Sequence, residues 1–224
     1  MDYNLNECAH ECVIEIDGHQ LHRSVFNTSW ITDPKVIVDV GAWDFGDSIR
    51  LKRAFPKAKV IACEMLPDNY YKFSPFAIQN GVDAINCAVT NKNGPVEFYE
   101  GKHIHGDNAQ SSLLEPADSY KNLYGNIVSH TKSSSTAVGL TLDSVMDISG
   151  LNNIDLLHID VEGAEYQVFE GMKNIKPKMI FAEFLIDGGW KGQKSFNETY
   201  ELLFSMGYKL AASLGHDRLF VLNT

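Results

Sequence analysis

Five short apolar runs, VIVDV (36–40), KVIACE (59–64), AINCAV (84–89), DLLHID (155–160) and KMIFAEF (178–184), are spaced along this chain with helix-patterned segments between them. Runs that are apolar on both alternating faces suit strands covered on both sides. Strands that alternate with helices build a mainly parallel α/β sheet with helices on each face. After the first run, Asp44 and Ser48 offer helix-start chemistry, and Phe45, Ile49, Ala54 and Phe55 form an apolar stripe that stops at Pro56. Pro67, Asp68 and Asn69 open a second helix through Tyr71 and Phe73. Further helices are expected over 140–148, from Gly163 to Glu170 with Gly171 as its end, and from Ser195 to Met206. VEFYE (96–100) reads as an added edge hairpin after a turn at 91–95, and the runs 208–213 and 218–222 as a closing antiparallel hairpin.

A length of 224 residues with 44% hydrophobic content is enough for one sizeable core. The expected organisation is a single domain over 34–224, preceded by an N-terminal extension at 1–33. Between 101 and 136 the pattern dissolves into Ser, Gly, Asn and His, which marks a variable substrate loop or lid. A formal net charge of −10 argues against a nucleic-acid backbone or an anionic membrane as the main partner. The N-terminus has no cationic start followed by an apolar core, and no apolar run approaches membrane-spanning length, so a soluble, cytoplasmic protein is expected. Of the four cysteines, Cys63 and Cys87 sit in strand-like runs as small hydrophobes. Cys8 and Cys12, with His10 between them, read as free thiols of the extension rather than a zinc site.

In a sheet of this kind, ligands bind beyond the carboxyl ends of the strands, where the chain order reverses. DVGAWDFG (39–46) is a strand end, a tight turn and a helix start. A dinucleotide fingerprint would place a glycine where Trp43 stands, so that the backbone can approach a pyrophosphate. Asp44 and Asp47 add negative charge at the helix start, where a phosphate would otherwise be welcome. Glu64, about 20 residues beyond the turn at the end of the second strand, is placed to accept from a ribose diol. An adenosine that carries a cation in place of phosphates satisfies all three features, and S-adenosylmethionine is such a ligand.

In order and approximate spacing, VIVDVGAWDFGDS, VIACEMLPDN, NCAVTNKNG, VGLTLDSVMD, IDLLHIDVEGAEYQVFEGM and KMIFAEF resemble the FkbM-like methyltransferases, from Val36 to the final strand. The TLD followed by IDVEGAE is the most specific part. The resemblance implies a Rossmann-like class I methyltransferase fold of seven strands, S-adenosylmethionine as methyl donor, and O-methylation of a hydroxyl on a sugar, glycan or small natural product. It also implies that Asp39, Gly41, Ala42, Trp43 and Gly46 shape the cofactor turn, that Glu64 holds the ribose, and that Met65, Asn86 and Ala88 border the adenine. Trp43 and Asp44 depart from the family's usual Asn-Ile, and His158 from its usual Lys.

Strand alternation places Leu156, His158 and Asp160 on one face, with Asp160 at the carboxyl end beside the presumed sulfonium. A carboxylate there suits a general base for the acceptor hydroxyl, with Glu162 as support and His158 as a further titrating candidate. Glu183, at the end of the next strand, is expected to converge with Asp160, and the two oxygen ligands would suit a divalent cation such as Mg²⁺. Glu165 is expected to stabilise the following helix start. The competing readings are a noncatalytic nucleotide-binding module and a nicotinamide-dependent oxidoreductase.

Overall fold

The computed structural model describes residues 13–16, 19–22, 33–184 and 187–223; Cys8, His10 and Cys12 lie outside the described residues. β1 (Val13–Ile16) and β2 (His19–His22) pair antiparallel. The alternation then follows: β3 (Val36–Val40), α1 (Gly46–Ala54), β4 (Lys59–Glu64), α2 (Pro67–Gln79) and β5 (Val82–Asn86). β6 (Ala88–Val89), β7 (Gly94–Val96), β8 (Tyr99–His103), α3 (Asp118–Tyr124), β9 (Val128–Lys132) and β10 (Ala137–Leu140) come next. The chain ends with α4 (Leu142–Ser149), β11 (Leu156–Ile159), α5 (Glu165–Glu170), β12 (Met179–Glu183), α6 (Phe196–Ser205), β13 (Tyr208–Leu214) and β14 (Asp217–Leu222).

Seven strands form the main sheet in the order β13-β14-β12-β11-β3-β4-β5, all running the same way except β14, which is antiparallel to both of its neighbours. From β3 the chain first winds outward through β4 and β5, then returns to the other side of β3 as β11. The crevice between the carboxyl ends of β3 and β11 is therefore the switch point at which such sheets bind ligands. Period-2 alternation divides the core. Val36, Val38, Val40, Leu157 and Ile159 face Val145, Met146, Val168 and Phe169 of α4 and α5. Ile37, Val60, Leu156 and Met179 face Phe45, Ile49 and Leu51 around α1. Among the described residues, no helix is long and apolar enough to cross a membrane.

Several boundaries differ from the sequence expectation, each for a local reason. AINCAV does not run on as one strand: the Asn86 amide donates to the carbonyls of Glu64 and Met65 (2.7 and 3.2 Å), and the Cys87 N–H donates to Glu64 O (3.0 Å). That clasp turns the chain out of the sheet, and β6 joins a separate three-stranded sheet, β6-β10-β7. VEFYE is not a local hairpin, since β7 pairs with β10 and β8 pairs with β9. The stretch at 140–148 is the end of a strand and then a helix, separated by Thr141, whose side chain caps α4 by accepting from the Ser144 N–H. α5 begins at Glu165 rather than Gly163 because Glu162 and Gly163 have φ of 53° and 95°, outside the right-handed helical region. The expected helix from Ser195 is α6, with Ser195 and Glu198 forming a capping box. The segment expected to be irregular holds the ribbon of β8 and β9 with α3 between them.

The amino end of the central strands is fastened by Asp155, which is 4% exposed. Its Oδ2 accepts from the N–H groups of Lys35 and Val36 (2.7 and 3.0 Å), and its Oδ1 pairs with the Lys178 ammonium (2.7 Å). Burial works against the charge, but the Lys178 ammonium and the two amides together hold this carboxyl below its usual range. Asp155→Ala leaves two amides at the start of β3 without a partner. The expected loss is about 2–4 kcal/mol of unfolding free energy, with Asp155→Asn intermediate, read by urea denaturation at pH 7.

Candidate active site

The turn after β3 lies against the end of β11. The N–H groups of Gly41 and Ala42 both donate to Cys63 O (3.0 Å each), tying the turn to β4. Gly41 has φ 89°, and a Cβ there would sit 1.7 Å from the backbone oxygen of Asp160, so only glycine fits. Trp43 and Phe45 also adopt left-handed φ of 46° and 63°, a conformation disfavoured for bulky side chains and held here by its surroundings. The Phe45 ring is fully buried, and the Trp43 N–H donates to Glu64 Oε2 (2.9 Å). Asp44 Oδ1 accepts from the Gly46 N–H (2.8 Å), and Asp47 pairs with Arg50 on its own helix.

Glu64 is 5% exposed, with its Oε1 accepting from the Leu66 N–H (2.8 Å) and the Asn69 amide (3.3 Å). Burial raises its carboxyl to about 7 despite these three donors. Two oxygens offer about four acceptor sites, so this carboxyl keeps capacity for a ligand hydroxyl.

A cleft of about 500 Å³, counted with its open mouth, runs from this turn to the end of β11. Gly41, Trp43, Glu64, Met65, Ala88 and Asp160 line it. The other expected turn residues act from outside the cleft. Asp39 is 1% exposed and sits beneath the turn: it receives the Ser48 hydroxyl from α1, and its Oδ1 lies 2.8 Å from His158 Nδ1. Ala42 is buried in the core against α1, Gly46 opens α1, and Asn86 clasps the β4 carbonyls. The cleft is also lined by Asn108, Ala109, Ser111 and Leu113 from the connection after β8, four residues within the 101–136 stretch that sequence reasoning did not single out. Sequence reasoning also missed Asn69, whose i+5 spacing from Glu64 at the start of a helix was a legible signal.

The acids named at the end of β11 fall into distinct roles. Glu165 is 4% exposed, and its Oε1 accepts from the Gly163 N–H (2.8 Å), so it closes the turn that precedes α5; burial raises it to about 7. Glu162 accepts the Ser112 hydroxyl through its backbone oxygen (2.7 Å), while its Oε2 is buried without a partner. Asp160 lies beside Glu183, since Ile159 and Ala182 are partners across β11 and β12 and these two acids follow them. Burial, with the charge of Glu183 next, pushes Asp160 well above the usual carboxylate range. The two acids thus end neighbouring parallel strands on the face that also carries His158 and Phe181. Among the described residues, no group of three or more His, Cys, Asp or Glu side chains is arranged to hold a metal ion.

His158 is an ion-paired residue of the sheet, stacked on Phe181 (5.8 Å between ring centroids). Burial acts against its charge, but the Asp39 carboxylate prevails and raises it to about 9. The loop histidines sit apart from the cleft lining: His103 is 3.7 Å from Asp107, and His130 Nε2 is 2.9 Å from Gln110 O. Tyr120 and Trp190 are 3% and 2% exposed, and with His130 they form an aromatic cluster in which each pair of rings lies 4.8–5.3 Å apart. Trp190 packs over Gly163 so closely that a Cβ there would meet its ring at 2.2 Å.

The family model for the methyltransferase FkbM domain matches residues 39–210. The chain is similar to the methyltransferase sdnD of Sordaria araneosa, at 31% identity over 160 residues, which span 61% of this chain and 60% of that protein. It is also similar to the 2-O-methyltransferase NoeI of Sinorhizobium fredii, at 26% identity over 198 residues, 82% of this chain and 76% of that protein. Among solved structures, a precorrin-6y C5,15-methyltransferase from Geobacter metallireducens superposes with a TM-score of 0.49 at 11% identity, covering 90% of this chain and 85% of the other.

The buried titrating groups set a direction for stability. His158 favours its cation in the fold, so its contribution is complete below about pH 6.5 and is lost as pH rises through about 9. Glu64 and Glu165 favour their neutral forms, and their contribution is lost between about pH 4.5 and 7. Both act in the same sense, so the ligand-free protein is expected to lose thermal stability from pH 5 to pH 10. His158→Gln keeps a donor for Asp39 and should flatten the fall above pH 7 by several degrees of Tm, measured by differential scanning fluorimetry across that range.

Proposed function

Because this chain belongs to the methyltransferase FkbM domain family, we propose that it transfers the methyl group of S-adenosylmethionine to a hydroxyl oxygen of a sugar, glycan or small natural product. One observation carries the reading: a single cleft at the switch point joins a buried carboxyl with spare acceptor capacity, Glu64, to a second carboxyl, Asp160. The separation of roles along the cleft suits an adenosine whose far end is a cation.

In this reading Glu64 receives the ribose hydroxyls, Met65 and Ala88 border the adenine, and Gly41 with Trp43 walls the methionine portion. Asp39, Ala42 and Gly46 set the turn's shape, and Asn86 fixes the end of β4. The bound donor supplies an electrophilic methyl group on a positively charged sulfur. What the chain adds is alignment of the acceptor oxygen and a place for its proton. Asp160 is the candidate base, with Glu162 beside it; His158, paired to Asp39, maintains the strand beneath. The relation to NoeI favours oxygen as the accepting atom, and the carboxyl groups fit the removal of a hydroxyl proton. Trp43 stands where a pyrophosphate would need bare backbone, which counts against a nicotinamide dinucleotide.

Titration calorimetry with S-adenosylhomocysteine, NAD and NADP tests the reading. Binding of the homocysteine compound alone is expected, and binding of a dinucleotide alone would overturn it. Glu64→Ala is expected to weaken that binding tenfold or more, about 1.4 kcal/mol. Asp160→Asn should leave it within a few-fold while reducing methyl transfer about 100-fold or more.

A further inference from the structure

Two carboxyl groups held side by side in a buried site repel each other when both are ionised, so a position that brings Asp160 and Glu183 together favours one proton between them. The fold places them together by register. Ile159 pairs with Ala182 across the parallel strands β11 and β12, so the next residues, Asp160 and Glu183, emerge side by side. Asp160 also lines the cleft, so the shared proton lies next to the space that the methyl donor is proposed to enter.

The charges around this pair are unbalanced. Glu162 and Glu165 face it from the turn and the start of α5, and Asp217 faces it from β14, paired in register with Glu183 and itself offset in part by His216 and Arg218. The one neighbouring cation among the groups acting on Asp160 is His158, and that charge is engaged by Asp39 and, more remotely, by Asp47 of α1. The deficit extends beyond the pair. Glu162 Oε2 is buried without a partner, and so is the hydroxyl of Tyr120, 3% exposed and near enough to feel the charge of Glu162. A positive charge in the cleft would fill what this corner lacks.

Resting on the methyltransferase reading, we infer that Asp160 and Glu183 share one proton in the free protein and release it when a sulfonium enters the cleft, so that the methyl donor itself arms the base. The cycle balances. A proton leaves to solvent on binding, which gives two carboxylates beside one sulfonium. In transfer, the acceptor oxygen forms a bond to the methyl carbon, the sulfur–methyl bond breaks with its electron pair left on sulfur, and the hydroxyl proton passes to the carboxyl pair. The neutral thioether then faces a pair that again holds one proton, the state in which the cycle began. Glu183 is here a positioning residue that holds the proton against Asp160, and Asp160 is the group that meets the acceptor.

The test counts protons and does not depend on turnover. Calorimetric titration of the full chain at pH 7, in buffers of low and high ionisation enthalpy, gives the protons released on binding S-adenosylmethionine and, separately, S-adenosylhomocysteine. The two ligands differ by the sulfonium methyl, so a proton lost from Glu64, which also titrates near 7 beside the cleft, is common to both and cancels. The methionine compound is expected to release between about one half and one proton more, and its affinity relative to the homocysteine compound should rise by up to about tenfold per pH unit between pH 6 and 8. Glu183→Gln should abolish the difference while retaining homocysteine binding. Equal release from the two ligands in the unaltered protein would overturn the inference and leave the methyltransferase reading intact, as would a difference that persists in Glu183→Gln. Failure of both ligands to bind would remove the reading itself.

Discussion

The contact between Gly41 and the backbone of Asp160 is the constraint on which the site depends. The first strand of the domain and its fourth parallel strand lie side by side, and their ends can hold a ligand between them only if the turn after one clears the end of the other. A Cβ at position 41 would occupy the Asp160 carbonyl. Once glycine allows the approach, the left-handed backbone at Trp43 and Phe45 sends the indole to the cleft and the phenyl ring into the core. The amide hydrogen bond from Trp43 to Glu64 then joins three strand ends, those of β3, β4 and β11, into one rigid rim.

Across the sheet, buried acids are handled in two ways. Asp155 keeps its charge because Lys178 stands against it and two backbone donors complete its shell, and Asp39 is partnered by His158 and the Ser48 hydroxyl. Glu64, Glu165 and Asp160 lack a cation of their own, and burial shifts them toward neutrality. The first group supports the sheet, and the second surrounds the cleft or its edge. On the proposed reading, in which a sulfonium enters the cleft, a resident lysine beside Asp160 would both occupy the charge and repel the ligand.

Legibility in the sequence followed the range of the interactions. Strand, turn and acid in DVGAWDFG and HID are local patterns, so the cleft's floor, Glu64 on one wall and Asp160 on the other were readable from spacing. The convergence of Asp160 with Glu183 was readable because both end parallel strands. AINCAV was misread because what breaks it, the Asn86 amide, bonds carbonyls of a different strand, and no periodicity encodes that. The same holds for the cover: β8 finds its partner in β9 across α3, and Trp190 finds Gly163 through tertiary packing. Protonation was beyond reach for a related reason, since the same carboxyl is an anion on a surface and an acid when surrounded by other acids.

The cover enters and leaves the domain at one place. β7 and β10 are neighbours in the small sheet, and Val96 and Ala137 are direct partners there, so the stretch between them leaves and returns at adjacent points, with further ties from Ser112, Glu115 and Ala117 to Glu162, Lys191 and Gly189. The main sheet has no strand within that stretch. Away from those ties, the length and composition of such a segment can change without altering the register of any strand that holds the cleft. The strands that shape the cleft are thereby kept apart in the chain from the residues that cover it.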